Sequence, residues 1–363
     1  MKKVRFGDVA SRLNIHVDQA TTTLEYYIGG EHIESCEFMI HNKALIKGST
    51  IGYQFQFGFR KGDILFMTKN PHLRKASMVD FDGLCSIATF VIHTIDESVL
   101  LQDYLLIEMQ SDRFWAYLEE HKSGGVNYFI NWGTLSNYEF NLPAIEEQRI
   151  LADKLWAAYR LKESYKKLLT ATQEMVKSQF IEMFYNGNYT VDKLRKHIDV
   201  IRGVSYKPSD VYETHNENTT IVLRSNNIEG GKINFDDLVY VSTERVSELQ
   251  LLSAGDIVMC GSNGSKKLVG KAAMLQETPT IRTSFGAFCL GIRCKPTLVP
   301  EYLATYFQTS LYRDEIEQLG SGSNILNIKP DHIYDLQLPI PLYGEQMAFV
   351  SIVNQADKSE YYN

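Results

Sequence analysis

Three places in this 363-residue chain hold residues whose type and spacing suggest chemistry, and each falls short of it. A phosphate-binding loop needs four residues between its first Gly and the Gly-Lys, so that backbone N–H groups curl around the phosphates, followed by Ser or Thr for magnesium. The run from Gly264 to Gly270-Lys271 has five, and Ala272 follows, so it reads as a basic hairpin loop. Asn70-Pro71-His72-Leu73 shares the Asn-Pro opening of an amine-gripping tetrapeptide, but lacks its second Pro and its aromatic residue; it reads as a turn. Cys289 and Cys294 have no second pair to complete a zinc site, and the nine histidines show no His-Glu-x-x-His spacing. Neither a catalytic residue nor a metal ligand is predicted. What remains are basic clusters, Lys69 with Arg74 and Lys75 in the first half and Lys266 and Lys267 with Lys271 in the second, each of which by itself reads as a solvated loop.

The elements that must position these residues are used twice. Leu142-Pro143-Ala144-Ile145-Glu146-Glu147-Gln148 is nearly repeated at Leu338-Pro339-Ile340-Pro341-Leu342-Tyr343-Gly344-Glu345-Gln346. Upstream of each lies a Gly-Asp-Ile turn, Gly62-Asp63-Ile64 and Gly255-Asp256-Ile257, entering an apolar strand. Each block then carries a helix, expected at 102–122 and at 300–318, and a Gly/Ser stop, Ser123-Gly124-Gly125 and Gly320-Ser321-Gly322-Ser323. Four matched elements in one order imply a duplicated domain.

Between the blocks, 145–184 contains neither Gly nor Pro. Leu151, Leu155, Ala158, Leu161, Tyr165, Leu168 and Met175 recur at spacings of three, four or seven, interrupted at Lys162, Thr172 and Gln179. That predicts a helix of roughly 40 residues, on the order of 60 Å long, whose apolar seam needs a partner helix. The partner expected is the stretch after Gln346, with Phe349, Val350, Ile352, Val353 and Ala356; it is shorter, 17 residues against 36 after Gln148.

Composition sets further bounds. Charge is −7, with 17 acidic against 13 basic residues in 1–141 and 21 against 17 in 186–363, so the acidic surplus is spread over both blocks. Phosphate contacts dominate nucleic-acid affinity and want Lys and Arg, so this balance argues mildly against a nucleic-acid binder. Met1-Lys2-Lys3-Val4-Arg5-Phe6 leads into no apolar run, and no stretch approaches 18 apolar residues; a cytoplasmic, non-membrane protein is expected. Cys36, Cys85, Cys260, Cys289 and Cys294 are odd in number and mostly in apolar runs, as reduced core thiols are.

Together, the repeated Leu-Pro…Glu-Gln element, the long helix after it, and Ile201-Arg202-Gly203-Val204-Ser205-Tyr206-Lys207, Leu223-Arg224-Ser225-Asn226-Asn227-Ile228 and Gly320-Ser321-Gly322-Ser323-Asn324-Ile325 in the second block resemble the specificity subunit of type I restriction-modification systems. The resemblance covers essentially the whole chain, the first block being more divergent. It implies an α+β chain with two tandem strand-rich target recognition domains (1–141 and 186–337). Long spacer helices separate them (142–185 and 338–363), pairing antiparallel like a coiled coil with the second shortened. It also implies double-stranded DNA with a split recognition sequence, two modification subunits and restriction subunits as partners. The DNA contacts expected from it, Lys and Arg on phosphates and Asn or Arg on base edges in the major groove, are Lys69, Arg74 and Lys75 in the first domain and Lys207, Arg224, Asn226, Asn227, Lys266, Lys267 and Lys271 in the second. S-adenosylmethionine, ATP and magnesium would sit on those partners and no cofactor on this chain. The shortened helix leaves seam for a modification subunit's helix or for self-association. The rival reading is a two-domain protein-binding adaptor; a defective specificity subunit is a variant of the main one.

Overall fold

The computed structural model describes residues 2–19, 21–125, 127–187, 189–319 and 327–361, so the glycine- and serine-rich run 320–325 lies outside the described residues. The chain divides into two compact units, Met1–Tyr165 and Lys166–Asn363, and the boundary falls inside a single helix, Ile145–Tyr185.

The first unit is built on two sheets. In one, Ala10–Leu13, Thr89–Thr94, Ile64–Met67 and Ala76–Met78 pair antiparallel in that order. In the other, Phe55–Phe59 and Tyr26–Ile28 flank Gly83–Ser86, the last two running parallel. Lys2–Arg5 pairs with Glu139–Leu142, closing the unit just before the long helix. Ile64, Phe66, Phe114, Trp115 and Leu118 fill a core in which Phe66 stacks on Trp115 with centroids 5.8 Å apart.

The second unit repeats the plan. Ile198–Arg202, Cys289–Cys294, Ile257–Cys260 and Ala272–Met274 form a sheet of the same order. Thr219–Leu223 and Thr283–Phe285 reproduce the parallel pair, and Val191–Lys193 pairs with Gln337–Pro339. The duplication read from the sequence is thus a duplication of register.

Each helix expected as one piece is two. Gln102–Met109 and Asp112–Glu120 are broken at Ser111, whose hydroxyl accepts the Phe114 N–H; Pro300–Tyr306 and Ser310–Leu319 are broken at Thr309, whose hydroxyl accepts the Tyr312 N–H. A hydroxyl three residues ahead of the N–H it accepts is an N-cap signature, and it starts a new helix at the same place in both units. Gly124 does not cap the helix, which ends at Glu120; at φ +101° it turns a tight loop that brings Ser123 against Phe129.

The Leu-Pro…Glu-Gln element has a physical account. Glu147 Oε2 accepts the Ala144 N–H and Glu345 Oε2 the Leu342 N–H, each capping its own helix. Gln148 and Gln346 are 0 % exposed. The Gln148 amide accepts from Leu101 N–H and donates to the carbonyls of Val99 and Pro143; the Gln346 amide accepts from Val299 N–H and donates to those of Thr297 and Pro341. One glutamine in each unit therefore ties the start of a long helix to the loop feeding the preceding helix.

The long helix runs 41 residues, but its apolar seam is not where it packs. Leu151, Leu155, Ala158, Leu161, Tyr165, Leu168 and Met175 are all exposed, Leu161, Leu168 and Met175 by 55–57 %. In the first unit the buried face is Gln148, Ala152 and Tyr159, with Phe38 against Trp156 and Tyr159 and Lys162 paired to Glu37 at 2.8 Å. In the second it is Val176, Phe180 and Phe184. The expectation failed because a seven-residue pattern slips about 20° per heptad around a straight helix. The stripe thus winds off the faces that meet the cores. The shorter helix Tyr343–Tyr361 does pair with the long one, through Phe349 against Phe180 and Phe184 at 5.4 and 5.6 Å. Val353 and Ala356 share a groove with Thr172 and Val176, so the two run antiparallel.

Of the cysteines, Cys85, Cys260 and Cys289 are buried and Cys294 half-buried, but Cys36 is exposed at φ +57°. Burial pushes the Cys85 and Cys289 thiols up to about 12, far from a reactive thiolate at neutral pH. No helix among the described residues is long and apolar enough to cross a membrane.

Candidate nucleic-acid interface

The basic clusters occupy equivalent loops. In each unit they lie between the two strands that follow the Gly-Asp turn: 68–75 links Ile64–Met67 to Ala76–Met78, and 261–271 links Ile257–Cys260 to Ala272–Met274. Each loop is held at its base in the same way. The Ile130 N–H donates to Thr68 O and Lys69 bridges to Phe129; the Ile328 N–H donates to Gly261 O and Ser262 bridges to Asn327.

Their electrostatics differ. In the first unit Arg74 forms an ion pair with Asp112 at 2.6 Å, and the Lys75 ammonium donates to Gly30 O at 2.6 Å, while Lys69 stands exposed. Asn70 and Arg74, on either side of the turn Pro71–Leu73, both hold left-handed backbone, φ +54° and +49°, a conformation costly for non-glycine residues. Two of the three cations therefore brace a strained loop. In the second unit Lys266, Lys267 and Lys271 are exposed, and none pairs with a carboxylate among the described residues.

The second unit brings most of its sequence-predicted residues together. Asn263 Nδ2 donates to Ser225 Oγ at 3.1 Å, joining the basic loop to the turn Ser225–Asn227. There Arg224 and Asn226 both donate to Asp237 Oδ2, at 2.8 and 2.9 Å. Asn227, only 1 % exposed, accepts from Arg224 N–H and donates to the carbonyls of Asn234 and Asp236. Its amide is spent on its own loop, so it shapes the surface rather than touching a ligand. Lys207 is exposed at the head of a separate turn, Pro208–Asp210.

Residues not singled out from the sequence complete the surface. Arg313 donates to Val269 O at 2.8 Å and to Lys266 O at 3.4 Å, propping the basic loop from the helix Ser310–Leu319. Lys177 reaches the same region from the long helix, paired with Glu174 at 2.7 Å. One arginine on an amphipathic helix carries no distinctive signal, so only the fold finds it. Among the described residues no cluster of three or more His, Cys, Asp or Glu could hold a metal ion.

The chain is similar over 147 residues, 40% of its length, to two type I restriction enzyme specificity subunits. It is 41% identical to StySPI from Salmonella potsdam and 40% to EcoKI from Escherichia coli K12. It spans about a third (31%) of those relatives' length. A third, the MjaVIII specificity subunit of Methanocaldococcus jannaschii, is 21% identical over 264 residues, 67% of this chain and 60% of that one. No family model matches. The fold is that of a solved S subunit of the type I restriction-modification system from M. genitalium, with TM-score 0.54 at 13% identity, covering 99% of this chain and 89% of that one. A chain from a type I R-M system whose assembly has been solved gives 0.52 at 19%, covering 99% and 90%. The chain is thus related in sequence to type I specificity subunits and shares their fold nearly end to end.

Proposed function

We propose that this protein is the DNA-specificity subunit of a type I restriction-modification complex. Each unit reads one half of a split duplex target, and the shared helix sets the number of unread bases between the halves. The observation that carries this reading is the paired construction: one sheet order, one basic loop and one buried glutamine clamp occur in each unit, each clamp opening a long helix. A bipartite ligand suits a bipartite protein, and a helix holds spacing where a flexible linker would blur it.

In this reading the chain has no catalytic site of its own. It works in the cytoplasm and recruits two modification subunits, which carry S-adenosylmethionine for adenine methylation, and restriction subunits, which use ATP and magnesium. Co-purification tests the recruitment: the tagged chain should retain a co-expressed modification subunit, and loss of retention with an intact fold would contradict it.

The exposed seam offers the docking line. Leu161, Leu168 and Met175 are each more than half exposed on a helix that is buried only toward its two ends. Left without a modification subunit, the chain is expected to self-associate through this stripe. Leu168→Lys should weaken the association at least tenfold, since burying one leucine side chain is worth about 1.5–3 kcal/mol. Light scattering reads the result, and a wild-type chain that stays monomeric would sink the self-pairing.

A further inference from the structure

Against the basic loop of the second unit lies a cleft of about 560 Å³, built from four segments. Lys267, Gly270 and Lys271 supply one wall and Gly230-Gly231 another; Glu174 and Lys177 come from the long helix, and Thr309, Ser310 and Arg313 from the break between the two helices. Four cations and one carboxylate line it. The carboxylate, Glu174, is neutralised by Lys177, and Arg313 is paired with Glu317 at 3.0 Å. The uncompensated charge at the cleft is therefore that of Lys267 and Lys271.

The glycine wall is open at Gly230, while Gly231 backs onto the side chain of Gln308. Gly230 and Gly231, at φ +56° and +80°, turn the hairpin between Ile228–Glu229 and Lys232–Ile233, and a Cβ at Gly230 would meet nothing within 4 Å. Glycine at such a wall lets a ligand's backbone approach closely. The counterpart loop of the first unit keeps Lys69 as its one exposed cation outside such ties, because Arg74 and Lys75 are bound to Asp112 and Gly30.

Resting on the specificity-subunit reading, we propose that this cleft grips a phosphate of the duplex backbone. Lys267 and Lys271 donate to the phosphate oxygens while Arg313 holds the loop in place. The second unit then supplies the larger share of salt-dependent affinity and the first unit the smaller. Phosphate contacts of this kind fix register without reading sequence.

The test is fluorescence anisotropy of the full chain with a labelled 40-base-pair duplex of random sequence between 20 and 200 mM KCl. Each phosphate contact contributes about 0.9 to the slope of log Kobs against log salt. K267Q/K271Q removes that one contact and should flatten the slope by about 0.9 and weaken binding at least tenfold at the low-salt end. K193Q, an exposed lysine already paired with Asp335, should leave both unchanged. Circular dichroism melts confirm that the variants are folded. An unaltered slope in K267Q/K271Q, with wild type still binding in a salt-dependent way, overturns the cleft proposal and leaves the DNA reading standing. A wild-type chain with no salt-dependent duplex binding at 20 mM KCl overturns both.

Discussion

Gln346→Ala is expected to destabilise the second unit by about 4 kcal/mol. Three backbone groups, the Val299 N–H and the carbonyls of Thr297 and Pro341, lose their partner in a site with no exposure. Each orphaned buried polar group costs about 1–3 kcal/mol, and a domain's whole stability is on the order of 5–15 kcal/mol. Urea unfolding should show an early transition for this unit while the first unit unfolds as in wild type. Gln148→Ala should produce the mirror result, because its three bonds match one for one. A shift under about 1 kcal/mol in both variants would mean that the glutamines are spectators. Glu345→Ala removes a helix cap and the bond that its other oxygen accepts from the Tyr189 hydroxyl, and should cost about 1–2 kcal/mol.

The second large effect concerns the helix that runs through both units. Residues 164–171 are exposed on every side, so an insertion there breaks no packing within the chain itself. Four residues, Glu-Ala-Ala-Lys, placed between Leu168 and Leu169 lengthen the helix by about 6 Å. With duplex bases rising about 3.4 Å per step, the gap between the half-sites should grow by roughly two base pairs while the half-sites themselves stay the same. Sequencing methylated DNA from cells carrying the variant with its modification partner reads the gap. An unchanged gap would mean that this helix does not set the spacing.

What the sequence made legible were the features that local chemistry imposes twice. The Gly-Asp turns, the Leu-Pro…Glu-Gln element and the Gly- and Pro-free helix are local signals, and each lies where it was expected. The duplication also announced two units without a single contact being known. The split of each intermediate helix was missed, although Ser111 and Thr309 carry the cap signature, because the apolar spacing continues across the break. The seam was misjudged for a different reason. Spacing reveals that a stripe exists, but which face a straight 41-residue helix buries depends on the domains against it, and Tyr159, Phe180 and Phe184 won that competition.

The candidate interface shows the same limit. Lysines and arginines near turns were visible, but whether each is free was not. Arg74 depends on Asp112, 38 residues away, and Arg224 on Asp237 across a hairpin. Asn227 has the right chemistry for a base edge and no access to one. Lys267 and Lys271 gain their interest from a cleft whose other walls come from three distant segments.

The central claim is that two units on one chain read two halves of one DNA target. Single-molecule methylome sequencing of a host expressing this chain with its modification partner, against the same host without it, tests that claim most directly. The account predicts N6-methyladenine in one new motif of two short defined half-sites separated by a fixed run of unspecified bases. Methylation at an undivided motif, or no new methylation from an assembled and folded complex, would contradict it.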